Sequence, residues 1–218
     1  MNGFSFPTEL DRLRFLMRKA VNGILAEHLR ESFPQYRRIY GLELPRIREI
    51  CASFHPSRPL AIDLWNSNVR EEMFAATLLF PRDDVSPDDV RFLLSTALTG
   101  ELQQQLARNL LSFVLSEQQV CSLLESPDNW TCAVLTAAEM APVLSPDSRA
   151  RCLLALPTHL SDLTLFQARA VAALLRALLR ADPHLHDAIR DTVAPLAQDK
   201  DYARQFLFQE VTTELLYG

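Results

Sequence analysis

Four arginines offer the clearest chemistry: Arg37, Arg38, Arg46 and Arg48, all within "FPQYRRIYGLELPRIREIC", residues 33–51. A guanidinium presents its N–H groups as a planar fork, which matches a phosphate or a carboxylate two bonds at a time. The stretch reads in two ways, as a surface for phosphates or as a solvated elbow between helices. Pro45 can open a helix whose Ile47, Ile50, Cys51 and Phe54 share one inward stripe. Arg46 then lies beside Glu49 on the outer side, and Arg48 falls between the two faces.

Other reactive groups are scattered. His184 and His186 stand at i, i+2, which on a helix points them to different sides, so no metal site is expected. Cys51, Cys121, Cys132 and Cys152 lack a CxxC spacing and read as buried thiols of a cytoplasmic protein. No Gly-x-Ser-x-Gly, Walker loop or His-Glu-x-x-His is present, and no cofactor is expected. Trp65 reads as core, and Glu71 and Glu72 as partners for arginines of the preceding helix.

Charge is unevenly placed. Residues 1–60 hold ten Arg or Lys against six Asp or Glu, a net of +4, while the whole chain of 218 residues carries −5. A nucleic-acid contact must therefore use the N-terminal part, and the acidic remainder suits a protein partner better. No apolar run is long enough for a membrane span, because Arg176 and Arg180 interrupt "AVAALLRALLRA". The first twenty residues lack a basic start followed by an apolar segment, so no signal peptide is expected.

The elements that position these residues are helices. Apolar residues make up 48% of the chain, an ordinary globular share, and only 5 glycines argue against a turn-rich β-fold or a glycine-rich phosphate loop. A helix-start signal recurs as Ser86-Pro87-Asp88, Ser126-Pro127-Asp128 and Ser145-Pro146-Asp147, with Asp182-Pro183 as a variant. Serine caps free amides, proline is tolerated where its missing N–H would be unpaired, and aspartate favours the positive helix end. After Ser86, Val90, Leu93, Leu94, Ala97 and Leu98 form a stripe that Gly100 is placed to end. After Ser161, a longer stripe runs from Leu163 through Phe166, Ala170, Val171, Leu174 and Leu175 to Leu178. Starts 37 to 40 residues apart, each interval roughly halved by another, approach the period of HEAT or armadillo repeats. An irregular helical bundle is the alternative.

"YGLELPRIREIC" followed by "LAIDLWNSNVREEMFAATLLFPRDDVSPDDVRFLL" resembles the DNA alkylation repair family of AlkD-like proteins. Tyr40-Gly41, Ile47-Arg48, Leu64-Trp65 and Arg70-Glu71 carry that likeness, over residues 12 to 110. The resemblance implies an α-α superhelix of HEAT-like antiparallel helix pairs with a basic face for duplex DNA. Active members are expected to release cationic alkylated purines, with a carboxylate stabilising the developing sugar cation and tryptophans holding the backbone. The corresponding stretch here, residues 95–114, reads "STALTGELQQQLARNLLSFV" and has Glu101 as its sole carboxylate and no tryptophan.

The expectation is a single all-α repeat domain over residues 1–218, a binding scaffold with no catalytic residue. Duplex DNA or another protein is its partner, with Arg37, Arg38, Arg46 and Arg48 as nucleic-acid contacts. An alkylpurine DNA glycosylase is the alternative, and a purely protein-binding repeat is the third.

Overall fold

A computed structural model describes residues 6–217, and the chain divides into two compact units, Met1–Leu110 and Leu111–Gly218. Among the described residues, the backbone is helical or loop, with one isolated β-bridge between Arg38 and Val69. No helix among them is long and apolar enough to cross a membrane.

The first unit holds α1 (Glu9–Lys19), α2 (Gly23–Ser32), α3 (Leu44–Cys51), α4 (Arg58–Trp65), α5 (Arg70–Leu79), α6 (Pro87–Thr96) and α7 (Gly100–Leu106). A π-helical turn, Ala107–Leu111, follows α7. Helix α5 is the hub, packed on α3, α4 and α7, while α1 packs on α3 and α4. The stripe foreseen on α3 is buried: Ile47, Ile50, Cys51 and Phe54 all lie in the core.

Ser86 opens α6 as its type and spacing predict. Its Oγ accepts from the Asp89 amide and Asp89 answers to the Ser86 amide, a closed capping box. Arg58, at the start of α4, forks onto the same carboxylate at 3.1 and 2.6 Å. That pair, with the Ser86 bonds, holds the Asp89 carboxyl down at about 2. Gly100 does not end this helix. The helix stops at Thr96, Thr99 caps α7, and Gly100 becomes its first residue, so Leu98 lies outside the stripe and is 68% exposed.

The second unit holds α8 (Ser112–Val114), α9 (Glu117–Leu124), α10 (Trp130–Met140), α11 (Pro146–Ala155), α12 (Leu165–Ala181), α13 (His186–Val193) and α14 (Tyr202–Tyr217). Helix α10 packs on α9 and α12, and α14 covers α12 and α13. The α12 stripe is buried from Ala170 to Leu178. Ser145 opens α11, and Asp182 opens a short 3-10 turn ahead of α13. Ser126 opens nothing. Its Oγ accepts from the Asp128 amide in a local turn, Asn129 takes a left-handed φ of 58°, and α10 begins only at Trp130.

All four cysteines are free and buried. Burial pushes the thiols of Cys51 and Cys132 up to about 12, where they act as small apolar groups.

Candidate nucleic-acid interface

The arginine stretch is built on a buried acidic pair at the start of α5. Glu71 is 0% exposed, and its carboxylate accepts three successive backbone amides: Tyr40 at 2.8 Å, Gly41 at 3.0 Å and Leu42 at 3.2 Å. Arg70 neutralises it, donating from Nη1 to Glu71 Oε1 (3.1 Å) and to the Leu42 carbonyl (3.2 Å). Glu72 accepts the Tyr40 hydroxyl at 2.9 Å, and Arg14 of α1 donates to it from Nε and Nη2. The expected partners, arginines of the preceding helix, are not the ones used: Glu72 takes Arg14 from α1, Glu71 takes its neighbour Arg70, and Arg58 of α4 goes to Asp89.

Gly41 is the reason the turn has this path. Its φ is +75°, and a Cβ there would stand 2.3 Å from the Asn22 carbonyl oxygen and 2.6 Å from the Ala26 nitrogen. Only glycine combines that dihedral with so close a backbone approach. The Asn22 amide donates to the Tyr40 carbonyl at 3.0 Å, so the α1–α2 turn and the Tyr-Gly turn lie side by side.

The residues just before it are held from the other flank. Asn68, at φ 52°, accepts the Arg37 amide at 2.9 Å through its carbonyl and donates from Nδ2 to the Gln35 carbonyl at 3.2 Å. The Arg70 amide donates to the Arg38 carbonyl at 3.1 Å. The backbone of residues 35–42 is thus clamped, while the Arg37 and Arg38 side chains point out of the core.

Arg37, Arg38, Arg46 and Arg48 are all exposed. Arg46 is taken by Glu49. Arg48 borders a shallow cavity of about 220 Å³ whose walls include Cys51, Phe54 and Leu79. Arg46 and Arg48 lie two residues apart on one helix, about 200° around its axis, so one flat surface cannot engage both. The candidate set is therefore Arg37 and Arg38 with one arginine of α3, rather than four equivalent contacts.

Glu101 is committed elsewhere. Arg70 forks onto both its oxygens at 2.8 and 2.9 Å, and the Arg70 guanidinium also lies over the Phe74 ring at 4.5 Å. Next to this pair the Tyr36 hydroxyl and Thr99 Oγ1 are 2.6 Å apart, and burial drives the Tyr36 pKa well above its ordinary value. Trp65 is 2% exposed and donates from Nε1 to Thr96 at 2.8 Å; Trp130 is 5% exposed. Neither ring offers a face to a strand of DNA. Among the described residues, no group of three or more His, Cys, Asp or Glu is placed to hold a metal.

The model of a family described as "DNA alkylation repair enzyme" matches residues 13–190. The chain belongs to the DNA alkylation repair enzyme family. A solved structure described as "a new family of proteins related to the HEAT-like repeat DNA glycosylases with affinity for branched DNA structures" superposes with a TM-score of 0.77. It covers 96% of this chain and 96% of its own at 12% identity, which establishes the all-α, HEAT-like repeat fold. No curated protein sequence matches the chain. Within a DNA alkylation repair protein, the Tyr40-Gly41 and Arg70-Glu71 signatures acquire a physical meaning. They are two halves of one buried clamp: the Glu71 carboxylate gathers the Tyr40, Gly41 and Leu42 amides.

Proposed function

We propose that this member of the DNA alkylation repair family is a non-catalytic scaffold that binds DNA through Arg37, Arg38 and Arg48. One observation carries the reading. These three side chains are exposed and have no hydrogen-bond or ion-pair partner among the described residues, whereas nearby Arg14, Arg58 and Arg70 are each engaged by a buried or half-buried carboxylate. Arg37 and Arg38 stand on the clamped backbone and Arg48 on helix α3, so each is fixed at its base with its guanidinium free for phosphates, which position a protein on DNA without reading its bases. The affinity of the structurally similar family for branched DNA supports this ligand and makes a branched substrate one to test.

Two features support the absence of base excision. The Glu101 carboxylate is already held by a guanidinium fork, and both tryptophans are packed inside. The adjacent guanidinium offsets the field of a carboxylate so paired, which leaves little to stabilise a developing sugar cation. Incubation with alkylated duplex is expected to release no 7-methylguanine or 3-methyladenine beyond the spontaneous rate. Release above that rate, abolished by Glu101→Gln, would promote the glycosylase reading instead.

Binding itself is tested by salt. Affinity for a short duplex should fall linearly on a log–log plot against salt. If both arginines contact phosphates, Arg38→Gln/Arg48→Gln should lower the slope by about 1.8, since each contact contributes about 0.9. An unchanged slope would return the arginines to a solvated elbow.

A further inference from the structure

Val21 and Ile24 stand out on the α1–α2 turn, 47% and 87% exposed. Their neighbours explain why they are left outside. Ala26 is buried and Leu25 and Leu29 are half-buried, so the inward side of α2 is complete without Ile24. The turn is also fixed. Asn22 Oδ1 caps the Leu25 amide at 3.1 Å, the Ala26 amide donates to the Asn22 carbonyl at 2.9 Å, and the Asn22 amide is tied to Tyr40. Two apolar side chains are therefore held rigidly beside the Tyr-Gly turn.

Their setting is basic. From residue 18 to 38 the chain carries Arg18, Lys19, Arg30, Arg37 and Arg38 against Glu27 and Glu31, and all seven are exposed. Arg38 is two residues from Tyr40, at most about 7 Å of extended chain, so the clamped arginines end close to the turn. Glu27, one helical turn beyond Ile24, is an exposed acid that opposes an anionic ligand there.

We propose that Val21 and Ile24 form an apolar wedge that enters an unstacked base step of branched DNA while the surrounding arginines hold its phosphates. The inference rests on the DNA-binding reading above. Apolar side chains that insert between bases must overcome stacking, and a branch point has already lost part of it. Two side chains are too small a patch for a stable protein interface, which buries on the order of 1,000 Å² or more, but they suffice for one base step. The excess of positive charge around them complements a phosphate backbone.

A three-way junction with 2-aminopurine at the branch, and a linear duplex carrying the same base, provide the test. Wild-type protein is expected to raise the fluorescence of the junction and not of the duplex, because the reporter brightens when it unstacks. Val21→Ser/Ile24→Ser should abolish that rise and weaken junction binding about tenfold, by the loss of two buried apolar side chains. Its salt slope should stay at the wild-type value. Glu27→Gln should tighten binding to both DNAs. Both sites are on the surface, so unchanged thermal melts certify folded variants. A rise in fluorescence that survives the serine pair, or junction affinity that is unmoved by it, overturns the wedge and leaves the patch to another occupant. Wild-type protein that binds neither DNA at low salt instead removes the DNA reading, and the wedge falls with it.

Discussion

Gly41→Ala is expected to destabilise the protein by about 4 kcal/mol, lowering the melting temperature by about 8–16 °C. A left-handed φ costs an L-residue about 1–3 kcal/mol. At Gly41 the added Cβ would also meet main-chain atoms of Asn22 and Ala26 at 2.3 and 2.6 Å, and backbone cannot swing away as a flexible side chain would. Forced packing of this kind adds about 1–3 kcal/mol. Thermal unfolding followed by circular dichroism checks the figure. A loss under 1 kcal/mol would show that the turn can relax, and that its geometry is not what demands glycine.

Glu71→Gln is expected to cost a similar amount, about 3–5 kcal/mol, the range found when one partner of a buried charged pair is removed. The volume is preserved, so the loss is electrostatic. One carboxylate oxygen accepts the Gly41 and Leu42 amides and Arg70, and the other accepts Tyr40. A glutamine amide has one accepting oxygen; its NH2 group must face either the Tyr40 N–H or the Arg70 side of the cluster, donor against donor. Glu49→Gln is the internal control. Glu49 pairs with Arg46 on the surface, with both side chains more than half exposed, and its loss should cost at most about 1 kcal/mol. Equal losses for the two variants would mean that the buried carboxylate is not what holds the turn.

The helices were legible where their signals are local. Ser86 and Ser145 act through side-chain bonds to amides three residues away, and the α3 and α12 stripes depend only on helical periodicity. Thr99-Gly100 shows the limit of that logic. Glycine after an apolar stripe signals a stop, yet a threonine directly before it can cap the next helix, and the two readings compete. Ser126-Pro127-Asp128 fails for a similar reason: serine can satisfy a turn as readily as a helix end. The site was legible only in part. Composition marks Arg37, Arg38, Arg46 and Arg48, but the backbone that presents the first two is clamped by Asn68, Arg70 and Glu71, about thirty positions away. Contacts at that separation leave no periodic trace.

The Arg14–Glu72 pair has a consequence in time. Its two ends are 58 positions apart in the chain, and Glu72 also holds the Tyr40 hydroxyl. At a synthesis rate of about 5–20 residues per second, Glu72 leaves the ribosome roughly 3–12 s after Arg14. For that interval α1 is a nascent helix of eleven residues with no hub to pack on, too short to persist alone. The Tyr-Gly turn waits as well, since the carboxylate that gathers its three amides is made about thirty residues later. The emergence of α5 is therefore the moment at which the clamped backbone that carries Arg37 and Arg38 can take shape, all at once rather than helix by helix.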